Sequence, residues 1–338
     1  MRSEENHKKP STPTASDPEG EKAWSYPHPP DPLVPSKGEG EVDQSRRRRA
    51  KTHPNWKKFV KNPWARVTVY LSLLIFGGCM FADRAFYVPS ETHPIPPRVV
   101  GYSIVEHTIP IGEEHLSAWV LEPDRQPSKG TVLYSHGNAG NLENHLGFAD
   151  FIPLNGYRMV MYDYRGYGAS TGGPPTREKT IEDTHAALDW TLENFGPTWM
   201  VGQSLGASLS IWVAGERSEE IEGVIAIAPF TSYRAIARDV MGGTIVLYPL
   251  KWPLSFLVSS GGDPIERVGG ISPKPILFVH GEADEIIPNR MSDELFAAAE
   301  QPKVLKKIPG MGHNDGWRSA DRSFSASVLD ILDSGGAK

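Results

Sequence analysis

The most constraining feature of the sequence is the alternation of short β-rich runs with longer amphipathic runs from about Val99 to Leu332. Helices that connect parallel strands cover both faces of the sheet, so this order predicts an α/β domain with a mostly parallel central sheet flanked by helices. The predicted strands are 102–107, 116–121, 130–135, 157–162, 198–202, 221–226, 275–280 and 303–308. The predicted helices are 142–152, 180–195, 205–214, 289–299 and 322–332.

The chain before this domain divides into four segments of different composition. Residues 1–45 are rich in Pro, Ser and acidic residues and contain no apolar run, so we expect them to be disordered. Residues 46–66 are basic and contain no acidic residue, and residues 67–82 form an uncharged apolar run. A Pro-rich tether, residues 83–98, then leads into the domain at 99–338.

A basic flank followed by an apolar run is typical of a membrane-targeting segment whose basic side stays in the cytoplasm. We therefore expect residues 67–82 to form a single-pass anchor, with the folded domain on the non-cytoplasmic side of the membrane. Small residues precede Cys79, as in the lipobox of bacterial lipoproteins, so lipidation of Cys79 is an alternative. A third reading makes the apolar run a buried helix of the domain.

Charge and cysteine content exclude several classes of partner and cofactor. The 338 residues carry a net charge of −6, which gives no reason to expect a nucleic-acid partner. Cys79 is the only cysteine, so the chain has neither an intramolecular disulfide nor a cysteine-based metal cluster. The sequence lacks both His-Glu-x-x-His and Gly-x-x-x-x-Gly-Lys, and we expect no metal and no organic cofactor.

Two Gly-x-Ser-x-Gly motifs occur, centred on Ser170 and Ser204. A nucleophilic serine of this type needs a strand that ends at the first glycine and a helix that begins just after the serine. Ser204 lies between a predicted strand and a run of small and apolar residues. The residues after Ser170 include Gly-Gly-Pro-Pro, which cannot start a helix in time. Ser204 is therefore the predicted nucleophile, and Ser170 is a loop residue.

A serine hydroxyl becomes a good nucleophile only when a base removes its proton. His313 follows the last predicted strand directly, in a loop shaped by Gly and Pro. The carboxylate that orients this base should lie between the serine and the histidine in the chain. Asp284 follows the strand 275–280 and is the predicted acid, with Glu282 and Glu285 as competing neighbours.

Backbone amides are needed to stabilise the oxyanion that forms during acyl transfer. The amide of Leu205 is one predicted donor, because Leu205 follows the nucleophile at the start of a helix. Asn138 supplies the second predicted donor, because it lies between glycines in the loop after an early strand.

Five ordered strings, SHGNAGN, YDYRGYGAST, GQSLGAS, PILFVHGEADEIIP and IPGMGHND, resemble the α/β-hydrolase superfamily. They are most similar to a branch of membrane-tethered serine hydrolases that includes mammalian depalmitoylases, lysophospholipid lipases and uncharacterised bacterial members. The resemblance implies that Asp163, Arg165 and Gly166 are structural and that a cap occupies about 233–274. The cap carries apolar residues that form either a wall over the site or an ordinary buried helix face: Leu247, Tyr248, Leu250, Trp252, Leu254, Phe256 and Leu257.

These motifs and the resemblance together imply a serine hydrolase that cleaves carboxylic esters or thioesters through an acyl-enzyme. The expected substrate is a small acyl ester, a thioester or a lipid. A peptidase of the same fold is one alternative. A catalytically silent, membrane-tethered binding protein is another, although proteins of that kind usually lack one of the three catalytic residues, and here all three are present.

Overall fold

Three stretches of the chain, residues 86–243, 248–315 and 322–335, are described by the computed structural model. The predicted disordered segment 1–45, basic segment 46–66 and apolar segment 67–82, with Cys79, lie outside these stretches. Within the described stretches, no helix combines the length and the apolar character needed to cross a membrane.

The central element is an eight-stranded sheet, and a separate pair of two-residue strands lies beside it. The strands are β1 (Val88–Pro89), β2 (Tyr102–Ile111), β3 (Glu114–Pro123), β4 (Thr131–Ser135), β5 (Ala139–Gly140), β6 (Arg158–Tyr162), β7 (Thr198–Gln203), β8 (Gly223–Ile227), β9 (Ile276–Gly281) and β10 (Lys303–Ile308). The sheet order is β10-β9-β8-β7-β4-β6-β3-β2, and β1 pairs with β5. Within this sheet, β3 pairs antiparallel with both of its neighbours, β2 and β6, and the other pairings are parallel.

Helices cover both faces of this sheet. They are α1 (Leu142–Ala149), α2 (Phe151–Leu154), α3 (Arg177–Phe195), α4 (Leu205–Glu216), α5 (Tyr233–Gly242), α6 (Lys251–Ser255), α7 (Arg290–Ala298) and α8 (Ser323–Ser334). Buried side chains of α3, α4 and α7 belong to one core cluster, and those of α1 and α8 belong to the other. The predicted α/β fold with a mostly parallel sheet between helices is therefore confirmed.

The central and outer strands have different sequence patterns because they have different surroundings. Every residue of β4 and β7 is buried, as expected for parallel strands with helices on both faces. The β2–β3 hairpin is longer than predicted, because it continues through Pro110 to a turn at Gly112, where φ is +61°. Proline is tolerated there since β2 is an edge strand.

Three further segments differ from the sequence-based expectation. The helix predicted over 142–152 is divided at Asp150, which ends α1 and precedes α2. Part of the predicted tether packs on the domain: Tyr87 is buried, and Phe86 makes edge contacts with Phe230 and Tyr233. Two short helices, α5 and α6, occupy the region predicted as the cap.

The loop after β6 is anchored to α3 by a buried ion pair. The amide and the Nε atom of Arg165 donate to the two carboxylate oxygens of Asp183, at 2.8 and 2.5 Å. Arg165 also pairs with Glu182 at 2.7 Å. A Cβ atom on Gly166 would overlap the carbonyl of Gly173. Arg165 and Gly166 thus hold the shape of this loop, which supports the structural role that the resemblance implies.

Candidate active site

The predicted site residues all follow strands at one edge of the sheet. Ser204 follows β7, Asn138 follows β4, Asp284 follows β9 and His313 follows β10. These four strands are parallel, so their carboxyl ends meet at the same edge, where α/β proteins commonly bind ligands. Segments far apart in the chain are brought together there by sheet topology alone.

Ser204 forms a sharp turn between β7 and α4. Its backbone has φ 56° and ψ −115°, a conformation that costs a non-glycine residue about 1–3 kcal/mol. The Ser204 amide donates to the carbonyl of Ile227 at 2.8 Å, which ties the turn to β8. Ser204 is partly exposed although the residues on both sides of it are buried. The turn therefore presents the serine at the protein surface.

Glycines on both sides of Ser204 are required by close backbone packing. A Cβ atom on Gly202 would overlap the carbonyl of Gly206. A Cβ atom on Gly206 would overlap the carbonyl of Ser135 at the end of β4. The two glycines of this motif thus allow the turn to form next to the loop that carries Asn138.

His313 and Asp284 form a hydrogen-bonded pair beside this turn. The Nδ1 atom of His313 donates to Oδ2 of Asp284 at 2.7 Å. The other ring nitrogen, Nε2, is then free of its proton in the neutral imidazole and can accept one. The side-chain amide of Gln203, the residue before Ser204, donates to the carbonyl of His313 at 3.3 Å.

Asp284 is held by several donors. Its Oδ1 atom accepts hydrogen bonds from the amides of Ile286 and Ile287, at 2.9 and 2.8 Å. Burial raises the pKa of Asp284, but the hydrogen bonds from His280 and His313 lower it more, and the pKa lies below its usual range. The carboxylate is therefore ionised over the physiological pH range. Glu282 and Glu285 are both exposed, so Asp284 is the acid that contacts His313.

Sequence reasoning missed His280, whose buried side chain contacts the carboxylate of Asp284. Its Nε2 atom lies 2.9 Å from the carbonyl of Ile287 and 3.3 Å from Oδ2 of Asp284. Both partners are acceptors, so Nε2 carries the proton, and Nδ1 accepts from the hydroxyl of Ser292 at 2.6 Å. The signal in the sequence that could have identified His280 is its polar side chain within the otherwise apolar strand β9.

The two predicted oxyanion donors are the backbone amides of Leu205, directly after Ser204, and of Asn138, in the loop after β4. Leu205 is the first residue of α4, where backbone amides have no acceptor within the helix. The side chain of Asn138 is used within the protein: it donates to the carbonyl of Phe86 at 2.6 Å and accepts from the amide of Val88 at 3.2 Å. The backbone amide of Asn138 is thus the group that it can offer to a substrate.

Ser170 has a structural environment. Its hydroxyl donates to the carbonyl of Asp163 at 2.7 Å and accepts from the amide of Ser117 at 2.8 Å. These bonds fix the loop after β6 against β3. The interpretation of Ser170 as a loop residue agrees with this geometry.

Three aromatic residues of the predicted cap are largely exposed, whereas Tyr233, at its start, is buried. Tyr248, Trp252 and Phe256 expose 58%, 56% and 63% of their surface, so ordinary helix burial does not account for them. The guanidinium of Arg238 lies 4.3 Å from the centre of the Trp252 ring, and the Lys251 ammonium lies 4.2 Å from that of Tyr248. The wall over the site remains a prediction, and Leu247 lies outside the described residues.

Comparison with known proteins places the chain among hydrolases and uncharacterised relatives. The family model described as serine aminopeptidase, S33, matches residues 126–264. Uncharacterized protein YfhR of Escherichia coli O157:H7 is 30% identical over 210 residues, which are 60% of this chain and 70% of the relative. Lysophosphatidylserine lipase ABHD12 of Danio rerio is 29% identical over 217 residues, which are 60% of this chain and 56% of the relative. The Pyrococcus furiosus esterase Pf2001 has the same fold, with a TM-score of 0.60 and 19% identity over 73% of this chain and 98% of the esterase.

Replacing Gly206 tests the packing of the turn. Gly206→Ala should lower the free energy of unfolding by about 1–3 kcal/mol, because the added methyl group forces the turn away from β4. Gly147 provides the matched control: it lies in α1 with open space around it, so Gly147→Ala should raise stability by about 0.5–1 kcal/mol. Urea unfolding measures both. Equal effects of the two substitutions would contradict the close approach at Gly206.

The ionised state of Asp284 should appear as a pH-dependent contribution to stability. A carboxylate whose folded pKa is lowered stabilises the protein above its unfolded pKa of about 3.9, and this contribution is lost as the pH falls through the folded pKa. The stability advantage of the wild type over Asp284→Asn, about 1–3 kcal/mol near neutral pH, should therefore shrink below about pH 4. Urea unfolding at a series of pH values measures it. Parallel stability curves for the two proteins would show that the folded carboxyl group is not held ionised.

Proposed function

The chain belongs to the α/β-hydrolase superfamily, and we propose that it is a serine hydrolase that cleaves carboxylic esters or thioesters through an acyl-enzyme. The observation that carries the proposal is the His313–Asp284 pair, which lies beside the left-handed turn at Ser204. Nucleophilic acyl transfer requires a histidine base, oriented by a carboxylate, next to a serine at the start of a helix. Ser204, Asp284 and His313 form the proposed catalytic triad.

In the proposed mechanism, Nε2 of His313 removes the proton of the Ser204 hydroxyl as its oxygen attacks the carbonyl carbon of the substrate. The electron pair of the carbonyl bond moves to its oxygen, which the amides of Asn138 and Leu205 stabilise. The ionised Asp284 stabilises the imidazolium that His313 becomes. The carbonyl bond then re-forms and the bond to the leaving group breaks, and His313 protonates the leaving alkoxide or thiolate, so the acyl group remains on the Ser204 oxygen. His313 next removes a proton from a water molecule that attacks this acyl-enzyme, and it returns the proton to the Ser204 oxygen as the carboxylic acid leaves.

The comparisons support an ester or lipid as the substrate class. One relative is named as a lysophosphatidylserine lipase, and one solved structure of the same fold is an esterase. The cap adds exposed aromatic surface, at Tyr248, Trp252 and Phe256, that suits an acyl chain better than a charged substrate. We propose a substrate with an apolar acyl group for this reason.

A peptidase is the second candidate function, because the matching family model is described as a serine aminopeptidase. The same triad would then attack an amide, and His313 would protonate an amine. The third reading, a silent binding protein, would leave Ser204 unreactive. Labelling and substrate tests separate these three readings.

Labelling with a fluorophosphonate probe tests for an activated serine. We expect the full-length protein to be labelled, because the probe reacts with a serine whose proton is removed by a neighbouring base. Ser204→Ala and His313→Ala should abolish labelling, whereas the control Ser170→Ala should leave it unchanged. Labelling of the Ser204→Ala variant, or none of the folded wild type, would refute the proposed nucleophile, and the second result would favour the binding protein.

A substrate panel on the labelled protein then separates the classes. It pairs p-nitrophenyl esters of increasing acyl length with an acyl thioester and with aminoacyl p-nitroanilides. Faster turnover of the long esters or of the thioester supports the proposal, and preferential turnover of the anilides supports the peptidase.

We further propose that residues 67–82 hold the domain at the membrane as a single span, motivated by the basic flank 46–66, with lipid attachment at Cys79 as the alternative. The full chain should sediment with membranes and be released by detergent, and a chain that begins at Ala82 should remain in the supernatant. If the Cys79→Ser variant of the full chain is found in the supernatant, the anchor is a lipid on Cys79 rather than a membrane span. Equal solubility of the full and truncated chains would refute both forms of anchoring.

A further inference from the structure

Four successive backbone carbonyls, those of residues 136–139, each accept a hydrogen bond from a buried side chain. The donors are the Tyr164 hydroxyl to His136 at 2.8 Å, His136 Nδ1 to Gly137 at 2.7 Å, the Tyr167 hydroxyl to Asn138 at 2.8 Å, and His145 Nε2 to Ala139 at 2.6 Å. We call these four donors the carbonyl clamp. The clamped segment contains the proposed oxyanion donor, the amide of Asn138.

The protonation states of three clamp residues are fixed by burial. Burial raises the pKa of Tyr164 and of Tyr167 far above the usual value, so both hydroxyls keep their protons. Burial lowers the pKa of His145 to about 3, helped by the nearby His136, so this ring is neutral. Its single proton lies on Nε2, because the partner of Nε2 is a carbonyl oxygen. These three donors are therefore constant over the pH range in which a hydrolase works.

The bond to the Gly137 carbonyl determines where the Asn138 amide points. Both groups belong to one peptide unit, which is planar and trans, so the C=O and N–H bonds point in opposite directions. Because His136 holds the carbonyl on one side, the N–H of Asn138 points to the other. The bonds to the Asn138 and Ala139 carbonyls fix the next two peptide planes in the same way.

The clamp residues are themselves held in place. Nε2 of His136 lies 3.3 Å from Oδ1 of Asp163, which also accepts the amide of Leu142, the first residue of α1, at 2.8 Å. The rings of His136 and His145 stack with centroids 5.0 Å apart. A Cβ atom on Gly137 would lie 3.0 Å from the His145 ring, so the ring lies directly against this backbone.

We propose that Tyr167 and His145, acting with His136 and Tyr164, are positioning residues that aim the Asn138 amide at the oxyanion of the transition state. The inference rests on the proposed function, because it assigns to these side chains a role in the same acyl transfer. A hydrogen bond to a carbonyl also polarises its peptide unit, so the N–H on the other side becomes a better donor, by about 10–30%.

Buried carbonyls need donors in any protein, so a purely structural role for the clamp must be separated from a positioning role. A structural role predicts lost stability with normal catalysis in the folded fraction. A positioning role predicts weaker binding of the transition state with unchanged binding of the substrate, because the oxyanion exists only in the transition state. The quantity to measure is therefore the change in transition-state binding relative to the change in substrate binding.

The first variant is Tyr167→Phe, which removes one clamp hydroxyl and keeps the ring. Its matched control is Tyr162→Phe: Tyr162 is equally buried, and its hydroxyl is bonded at 2.9 Å to Ser135 and to Thr184 rather than to a clamped carbonyl. A second pair, His145→Gln and His145→Met, keeps or removes a donor at the position of Nε2 with similar volume. This pair keeps the inference testable if Tyr167→Phe does not fold.

The measurements use the full-length protein, a soluble ester, and a trifluoromethyl ketone with the same acyl group, which forms a tetrahedral oxyanion adduct on a serine. We expect Tyr167→Phe and His145→Met to lower kcat by about 10- to 100-fold, less than the loss of an oxyanion donor itself, with KM changed by less than about 3-fold. The inhibition constant of the ketone should rise in parallel with the loss of kcat/KM. Tyr162→Phe should remain within about 3-fold of the wild type, and His145→Gln should recover part of the activity of His145→Met.

The outcomes separate the two proposals. If the wild type hydrolyses the ester but the clamp variants match Tyr162→Phe in kcat and in ketone affinity, the inference is wrong and the proposed function stands. A loss of thermal stability in the clamp variants without the kinetic change would also refute the inference and leave the proposed function standing. If the folded wild type neither hydrolyses the ester nor reacts with the fluorophosphonate, the proposed function fails, and the inference fails with it.

Discussion

The left-handed backbone of Ser204 is the constraint on which the arrangement of the site depends. This conformation is unfavourable for a serine and persists because the strand before it, the helix after it and the bond from its amide to Ile227 all fix its position. The close approach of Gly206 to the end of β4 then brings the loop of Asn138 to the same place. A change in the turn would therefore move the serine and the loop together.

His313, Asp284 and the loop of Asn138 are each held by hydrogen bonds from further residues, and these residues come from different elements. His313 is oriented by Asp284, and Asp284 is held by His280 and by the amides of its own loop. The loop that carries Asn138 is held through its carbonyls and through the pairing of its own strand β5 with β1. Support of this kind reduces the reorganisation needed during reaction, which is how preorganised dipoles lower a barrier.

The fold and the positions of the site residues could be predicted because their signals are local. Strand-to-helix alternation determines the parallel sheet, and a serine between β7 and α4 lies at its carboxyl edge whatever the rest of the chain does. The supports could not be predicted. Tyr167 is far from Asn138 in sequence, and His280 and His145, although close in sequence to Asp284 and Ala139, reach them only through the folded shape of their loops. The length of β2 was underestimated because Pro110 resembles a strand end unless the strand is known to be an edge. The exposure of the cap rings depends on packing that no periodic pattern reveals.

The central claim is that an oxyanion formed at Ser204 lies between the amides of Leu205 and Asn138. A crystal structure of the protein after reaction with a phosphonate that mimics the tetrahedral intermediate tests this claim most directly. The account predicts a covalent bond to Oγ of Ser204 and a phosphoryl oxygen about 2.7–3.1 Å from both amide nitrogens. An adduct on another residue, or a phosphoryl oxygen that faces away from these amides, would contradict it.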